Sequence, residues 1–168
     1  VCALSGMYNA EGEGSIDADM TLSRTPLLLL NGFVPDRLIH FKGYAQGEVK
    51  VKGSLSRPDV NGELYFDSAY VASDPYGVQM RLCDDQLTIN NSRLQFENFQ
   101  MFARNGNALT LYGYFDFANF DRMKTYLRMR ADNYLLIDAK ENARSEAFGK
   151  AYVNFLGLVD GPLDALRM

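Results

Sequence analysis

Tryptophan is absent from this chain of 168 residues, histidine occurs once and cysteine twice. His40, Cys2 and Cys83 cannot build the usual zinc sites, and neither HExxH nor CxxC spacing occurs. Basic charge is short as well. Seventeen Lys+Arg against 21 Asp+Glu leave a net charge of −4, whereas a nucleic-acid binder needs basic stripes to displace condensed counterions. Long apolar runs are missing too: the stretch from Pro26 to Pro35 is about half the ~20 residues a transmembrane helix requires. No basic segment followed by an apolar core opens the chain, and its first residue is not Met, so it reads as an excised or processed piece of something longer. Cys2 and Cys83 fit either one disulfide or two free thiols, and the redox compartment stays open.

What is present is alternation. Ile16, Ala18, Met20 and Leu22 alternate with Asp17, Asp19 and Thr21, and Val49 and Val51 with Glu48, Lys50 and Lys52. The same period of two runs through Leu94 and Phe96, through Leu109, Leu111 and Phe115, through Leu127 and Met129, and through Val153 and Phe155. Such alternation predicts antiparallel strands with one dry and one wet face. Turn signals punctuate the runs: Glu11–Gly14, Arg57–Asp59, Asp74–Gly77, Asp84–Asp85, Asn90–Ser92, Arg104–Asn107 and Glu141–Arg144. Asn105-Gly106 is the strongest hairpin cue, since both residues tolerate positive φ. The expectation is a single all-β domain over residues 1–168, with roughly ten or eleven strands joined as a meander.

One short helix is expected. Thr25 can cap it, Pro26 suits its first position and Gly32 its left-handed end. Leu27–Leu30 would then be buried on most sides; a buried coil or a short strand is the alternative. Val51-Lys52-Gly53-Ser54-Leu55 echoes Val159-Asp160-Gly161-Pro162-Leu163, which reads either as chance or as one unit of a longer array of like strands.

Catalytic chemistry is not legible. Asp17, Asp19, Asp84, Asp85, Asp116, Asp121, Asp132 and Asp138 read as solvated charges on polar faces or in turns, and His40 lies in no triad pattern. Gly43-x-x-x-Gly47 precedes strand alternation rather than a helix, so it is no phosphate loop. The informative feature is the apolar face itself: Ile16, Met20, Leu22, Val49, Val51, Leu64, Phe66, Met80, Leu82, Leu87, Ile89, Leu94, Phe96, Met101, Leu109, Leu111, Phe115, Leu127, Met129, Val153 and Phe155. Its methionines suit adaptable packing. Gly47, Gly53, Gly113 and Gly157 allow the sheet to bend.

The order of the glycines is specific. From Gly43 through Gly47 and Gly53 to Pro58, Gly62 and Leu64, then Leu94-x-Phe96-x-Asn98-Phe99, then Gly106-x-x-Leu109-x-Leu111-x-Gly113, the chain resembles the C-terminal domain of the TamB (translocation and assembly module) family. The likeness runs from about Phe41 to Met168, and Pro26–Pro35 resembles the short helix before the first glycines. Abundant tyrosine and asparagine give it a Bacteroidota character.

The resemblance implies a curled antiparallel sheet, the "β-taco", whose apolar trough the residues above would line. It implies a periplasmic protein anchored in the inner membrane by a segment absent here. It also implies work in outer-membrane biogenesis, carrying phospholipid or shielding the strands of client outer-membrane proteins with a partner barrel of the TamA type. Flanking strands of the same longer chain would continue the sheet. It implies no cofactor, no metal and no enzymatic residue. Two other readings stay open: a closed β-sandwich used for binding or adhesion, with Tyr70, Tyr76, Phe117 and Phe120 gathered at one end, and a β-sandwich carbohydrate-active enzyme, for which converging carboxylates would be needed and tryptophan platforms are missing.

Overall fold

In the computed structural model every long alternating run is an extended strand. The structure describes residues 2–11, 14–32, 39–54, 56–74, 77–139 and 149–162. The strands are β1 (Cys2–Asn9), β2 (Ser15–Pro26), β3 (His40–Ser54), β4 (Pro58–Ser73), β5 (Val78–Leu82), β6 (Leu87–Asn90), β7 (Arg93–Ala103), β8 (Ala108–Asp116), β9 (Lys124–Ala139) and β10 (Gly149–Pro162). All ten belong to one antiparallel sheet, and apart from β5 and β6 each lies beside its neighbours in sequence. Alternation did not mark β1, β4, β5 or β6; in β1, Cys2-Ala3-Leu4-Ser5-Gly6-Met7 offers too little polarity contrast to show a period.

The ten strands occupy nine places. β5 and β6 both lie between β4 and β7, one after the other, as halves of one interrupted strand. Asp84 and Asp85 mark that interruption rather than a hairpin. At the break Cys83 donates its N–H to the Gln100 carbonyl at 2.9 Å, and Gln100 donates back to the Cys83 sulfur at 3.3 Å, so the thiol stands in for a missing ladder carbonyl. Both cysteines are free thiols, Cys2 exposed and Cys83 buried, and burial pushes the Cys83 thiol up from its ordinary pKa. Nine places at ~4.8 Å give a sheet about 38 Å across measured along its curve, narrower than ten or eleven separate strands would make it.

The turns differ in detail from their sequence signals. At Ala103–Asn107 only Gly106 has positive φ, and Ala103 N–H donates to Asn107 O while Gly106 N–H donates to Ala103 O. That is a three-residue hairpin loop with glycine in the left-handed place, not a two-residue turn. The two-residue turn is Asn91-Ser92, both at positive φ. Ser92 is buried there because its hydroxyl donates to the Pro58 carbonyl and accepts from the Val60 N–H, closing the start of β4. Pro58 and Asp59 are therefore strand residues, paired with Gly53 and Lys52. The signal at Glu141–Arg144 lies outside the described residues, as do Leu55, Leu163, Pro75 and Tyr76.

The expected helix is a 3₁₀ turn, Leu27–Gly32, and a second such turn covers Phe120–Arg122. Pro26 does not start the helix; it ends β2, opposite Tyr44. Nor are the leucines buried on most sides. Leu27 is buried, but Leu28 and Leu29 are 64% and 63% exposed, because at three residues per turn neither shares the sheet-facing side with Leu27. Asn31 fastens the turn: its side-chain oxygen accepts from Phe41 N–H at 2.7 Å and its amide donates to Phe41 O at 3.2 Å. The amide thus imitates a ladder partner where β3 has run past the end of β2.

The sheet curls by a repeated device. Arg24 on β2, Ser68 on β4, Asn98 on β7 and Asn133 on β9 all have positive φ, and all four sites coincide with register shifts. At each, two residues separate successive inward side chains: Leu22 and Thr25, Phe66 and Ala69, Phe96 and Phe99, Ala131 and Tyr134. An extra residue bends the strand and sharpens its twist. The four strands run in the same direction, so the bends reinforce one another. At the end of the sheet that carries the β4–β5 turn the curl brings β5 against β9, with Gly77 on the Asp138 backbone.

Candidate apolar groove

The register sorts side chains into rows across the sheet. One row crosses all nine places: Leu4, Met20, Val49, Gly62, Ile89, Leu94, Phe115, Thr125 and Gly161. Beside it, all on the same side, runs a second row of Leu22, Gly47, Leu64, Leu87, Phe96, Gly113 and Leu127. Further along, Leu82, Met101, Leu109, Ala131 and Phe155 form another row, and Phe99, Leu111 and Met129 a parallel one. Ile16 opposes Gly53, Val51 opposes Val60, Phe66 opposes Ala45, Met80 opposes Val71 and Val153 opposes Tyr134. All 21 residues singled out from the sequence therefore share the concave face.

Exposure on that face is graded. Val49, Leu82, Leu87, Ile89 and Leu111 on the floor are buried, with Phe99 among them at 4% exposed. Ile16, Met20 and Leu22 on one wall and Leu127, Met129 and Val153 on the other are half-buried. Phe155 at the rim is exposed, as are Leu4 and Tyr8 on β1. The floor is packed tight. Phe99 meets Phe66 and Phe96 edge-on at centroid distances of 6.2 and 5.8 Å, and Leu27 from the 3₁₀ turn seats among Ala45, Ala69, Leu87 and Phe99. Three hollows of about 660, 450 and 300 Å³ lie instead on the convex face or at the end bearing the β4–β5 turn. The trough is thus filled at its floor and open along its walls.

The convex face is polar and charged. Asp17 pairs with Lys52 at 3.4 Å, Asp19 with Lys50 at 3.7 Å and Asp132 with Arg130 at 3.0 Å. Asp116 and Asp138 depart from the solvated reading, since neighbouring side chains largely cover them. Burial alone would raise the Asp116 pKa, but the Arg93 hydrogen bond at 2.9 Å, the Ala118 N–H and the Arg93 and Lys124 charges together hold it below the usual value. Asp138 sits between Arg104 at 3.5 Å and Lys150 at 3.9 Å. Most aromatics divide by face: tyrosines 44, 65, 70, 112, 114, 126 and 152 lie on the convex side and phenylalanines 41, 66, 96, 99, 115 and 155 on the concave side, while Phe102 is convex beside Arg81 and Tyr8 concave opposite Ile16. Arg24 over Tyr44 and Arg93 over Tyr114 lie 4.5 and 4.3 Å from the ring centroids.

Tyr134 is the buried exception. It points inward, is only 2% exposed, and its hydroxyl has no partner among the described residues. Burial pushes its pKa up to about 12 from 10.0. Below pH 10 the phenol is protonated in both folded and unfolded chains, so stability is unaffected. Between pH 10 and about 12 the unfolded chain ionises first, and stability falls by roughly 1.4 kcal/mol per pH unit, about 2.7 kcal/mol in all. Tyr134→Phe is expected to lose that alkaline sag and, with no hydroxyl left unpaired, to match or exceed the parent at neutral pH. Urea midpoints measured from pH 7 to 11.5 check both; an unchanged alkaline slope in the variant would refute the assignment.

Scans of protein-family models, of curated proteins and of solved structures give no match to this chain. The site must speak through its own geometry.

No group of three His, Cys, Asp or Glu side chains able to hold a metal ion occurs among the described residues. His40 begins β3 with Nε2 3.8 Å from an Asp74 carboxylate oxygen, in the 300 Å³ recess with Ser73, Arg104 and Asp138. The aromatics expected of an adhesion module are not gathered. Tyr70 lies in that recess, on the convex side of β4, whereas Phe117 packs near Val49, Val60 and Ile89 at the opposite end. Phe120 is exposed at that opposite end, and Tyr76 lies outside the described residues. No helix among the described residues is long and apolar enough to cross a membrane.

Proposed function

We propose that this chain is a section of an apolar trough that carries an extended apolar cargo, either a lipid acyl chain or an outer-membrane protein strand. This is the role implied by its resemblance to the TamB family. The observation that carries the reading is the graded concave face: ten strands in nine places deal their apolar residues to one side, yet the wall residues Met20, Leu22, Leu127, Met129 and Val153 stay half-exposed. A protein that used this face only as a core would gain by closing over it. Each acyl CH₂ removed from water contributes about 0.8 kcal/mol before ordering costs, so a chain laid along the walls needs no polar site to be held. On this reading the full protein works in the periplasm from an inner-membrane anchor, hands phospholipid or client strands towards a TamA-type barrel, and does no catalysis.

The test uses the purified chain and vesicles containing a phosphatidylcholine with a photoreactive diazirine on one acyl chain. Met129→Asp, which puts a charge on the wall, is expected to cut photo-adduct yield about tenfold. Arg128→Asp, one residue away on the convex face, should leave the yield unchanged. Equal yields from both variants, or no adduct on the parent, would overturn lipid carriage. Adducts with an unfolded outer-membrane protein strand but not with lipid would assign the trough to polypeptide.

A further inference from the structure

A trough that holds an acyl chain by burial alone lets it slide, because one CH₂ on the walls is equivalent to the next. Fixing where the chain rests takes a polar contact. The concave rows carry no Asp, Glu, Lys or Arg. Their phenylalanines have no polar side-chain atom, and Tyr8 is 59% exposed, so water serves its hydroxyl. Tyr134 differs: it is 2% exposed, and its hydroxyl lacks a partner among the described residues.

Its inward direction is built into the backbone. Asn133, at positive φ, turns β9 there, and three asparagine side chains hold it. Asn154 accepts from the Asn133 N–H at 2.6 Å, while Asn105 and Asn107 each donate to the Asn133 carbonyl at 2.8 Å. Tyr134 clusters with Ala103, Ala131 and Leu135, all buried, and Met80, Leu109, Leu136 and Val153, all half-buried, pack against this group. None of these side chains carries oxygen or nitrogen. Phenylalanine would fill the same space and leave no donor unmet. Burial holds the phenol protonated, its pKa pushed up to about 12 from 10.0, so it always has a hydrogen to give.

We infer that Tyr134 donates this hydrogen to the ester carbonyl of an acyl lipid whose chain lies along the β9–β10 wall. The inference rests on the lipid form of the function proposed above and specifies its ligand. Val153 pairs with Tyr134, and Met129 and Leu127 continue the wall along β9, so a chain that starts at the phenol runs over half-exposed apolar side chains. An ester suits these charge-free surroundings, being neutral with one strong acceptor. A carboxylate would lack a counter-charge. An extended polypeptide brings an N–H and a C=O at every residue, and one phenol answers only one of them. Met80, unbranched and flexible, is the covering side chain most able to give way.

The experiment uses the purified chain with vesicles of two diazirine phosphatidylcholines. They are alike except that the photoreactive chain is joined by an ester in one and by an ether in the other. The parent is expected to give about three to ten times more adduct with the ester, as one hydrogen bond contributes. Tyr134→Phe should lose that preference and keep its ether yield, whereas Tyr114→Phe, the same change on the convex face, should retain it. An isotopically labelled ester carbonyl supplies a second readout: its infrared stretch should move to lower frequency on the parent and not on Tyr134→Phe. Urea midpoints confirm that both variants are folded. An ester preference that survives Tyr134→Phe, or equal ester and ether yields on the parent, would overturn the inference and leave lipid carriage standing. No adduct from either lipid would remove both together. A carbonyl shift produced only by a labelled, unfolded outer-membrane protein strand would give the phenol to a peptide and overturn the ester.

Discussion

Replacing Phe99 with alanine is expected to lower the unfolding free energy by about 3–5 kcal/mol, the range for deleting a buried aromatic ring and leaving a cavity. Phe99 sits on the trough floor at 4% exposure, edge-on to Phe66 and Phe96, with Leu27, Leu87 and Leu111 in the same cluster. Its β7 neighbour Gln100 exchanges hydrogen bonds with Cys83 across the break between β5 and β6. The ring is therefore bolted down on both sides and its neighbours have little freedom to collapse into the space. Phe155→Ala at the rim, where the ring is 45% exposed, should cost less than about 1.5 kcal/mol. Urea denaturation of both variants reads the contrast. Similar losses would mean that the floor and rim are equally packed and that the graded face described above is wrong.

Gly113→Ala should destabilise by roughly 2–4 kcal/mol, although it adds one methyl group. Two causes combine. Gly113 has φ +126°, which an L side chain rarely adopts, and a Cβ there would drive into the Tyr126 carbonyl of β9. The backbone must then shift within a ladder that it shares with Phe96 on one side and Leu127 on the other. Gly47 is built alike, at φ +149° and against the Glu63 carbonyl, between Leu22 and Leu64. Gly157→Ala makes the informative control: its φ is ordinary and the added Cβ meets only the movable ring of Phe155. A loss at Gly113 no larger than at Gly157 would remove glycine from the account of how the sheet bends.

Much of this architecture was legible in period-two alternation, because a strand with one wet face must write its orientation into every second residue. The runs at Ile16–Leu22, Val49–Val51, Leu109–Phe115 and Leu127–Met129 therefore located strands and the concave face together. The bends were harder to read. Asn98 and Asn133 are residue types that tolerate positive φ, but Arg24 and Ser68 hold the same conformation without that chemistry, imposed by neighbouring strands. The 3₁₀ turn misled for a related reason. Four leucines in a row announce burial, and composition carries no sign that tight winding turns Leu28 and Leu29 outward. The inward Tyr134 was hidden because one inserted residue in β9 reverses the alternation that would have placed it outside. Most floor and wall residues could thus be listed from spacing, whereas how far each is covered depends on curl and had to be seen.

The nearest-neighbour topology bears on how the chain acquires its shape. Every strand lies against the one just before it, except that β5 and β6 share one place and each pairs with both β4 and β7. Pairing therefore asks only for closures of short loops, which are entropically cheap and fast. A chain threading out of a narrow opening can fix each strand as it emerges, with none left waiting for a distant partner. Because each bend belongs to its own hairpin, the growing sheet acquires its curvature as it lengthens rather than at a final closing step. At every stage the newest strand is the bare edge on which the next one pairs.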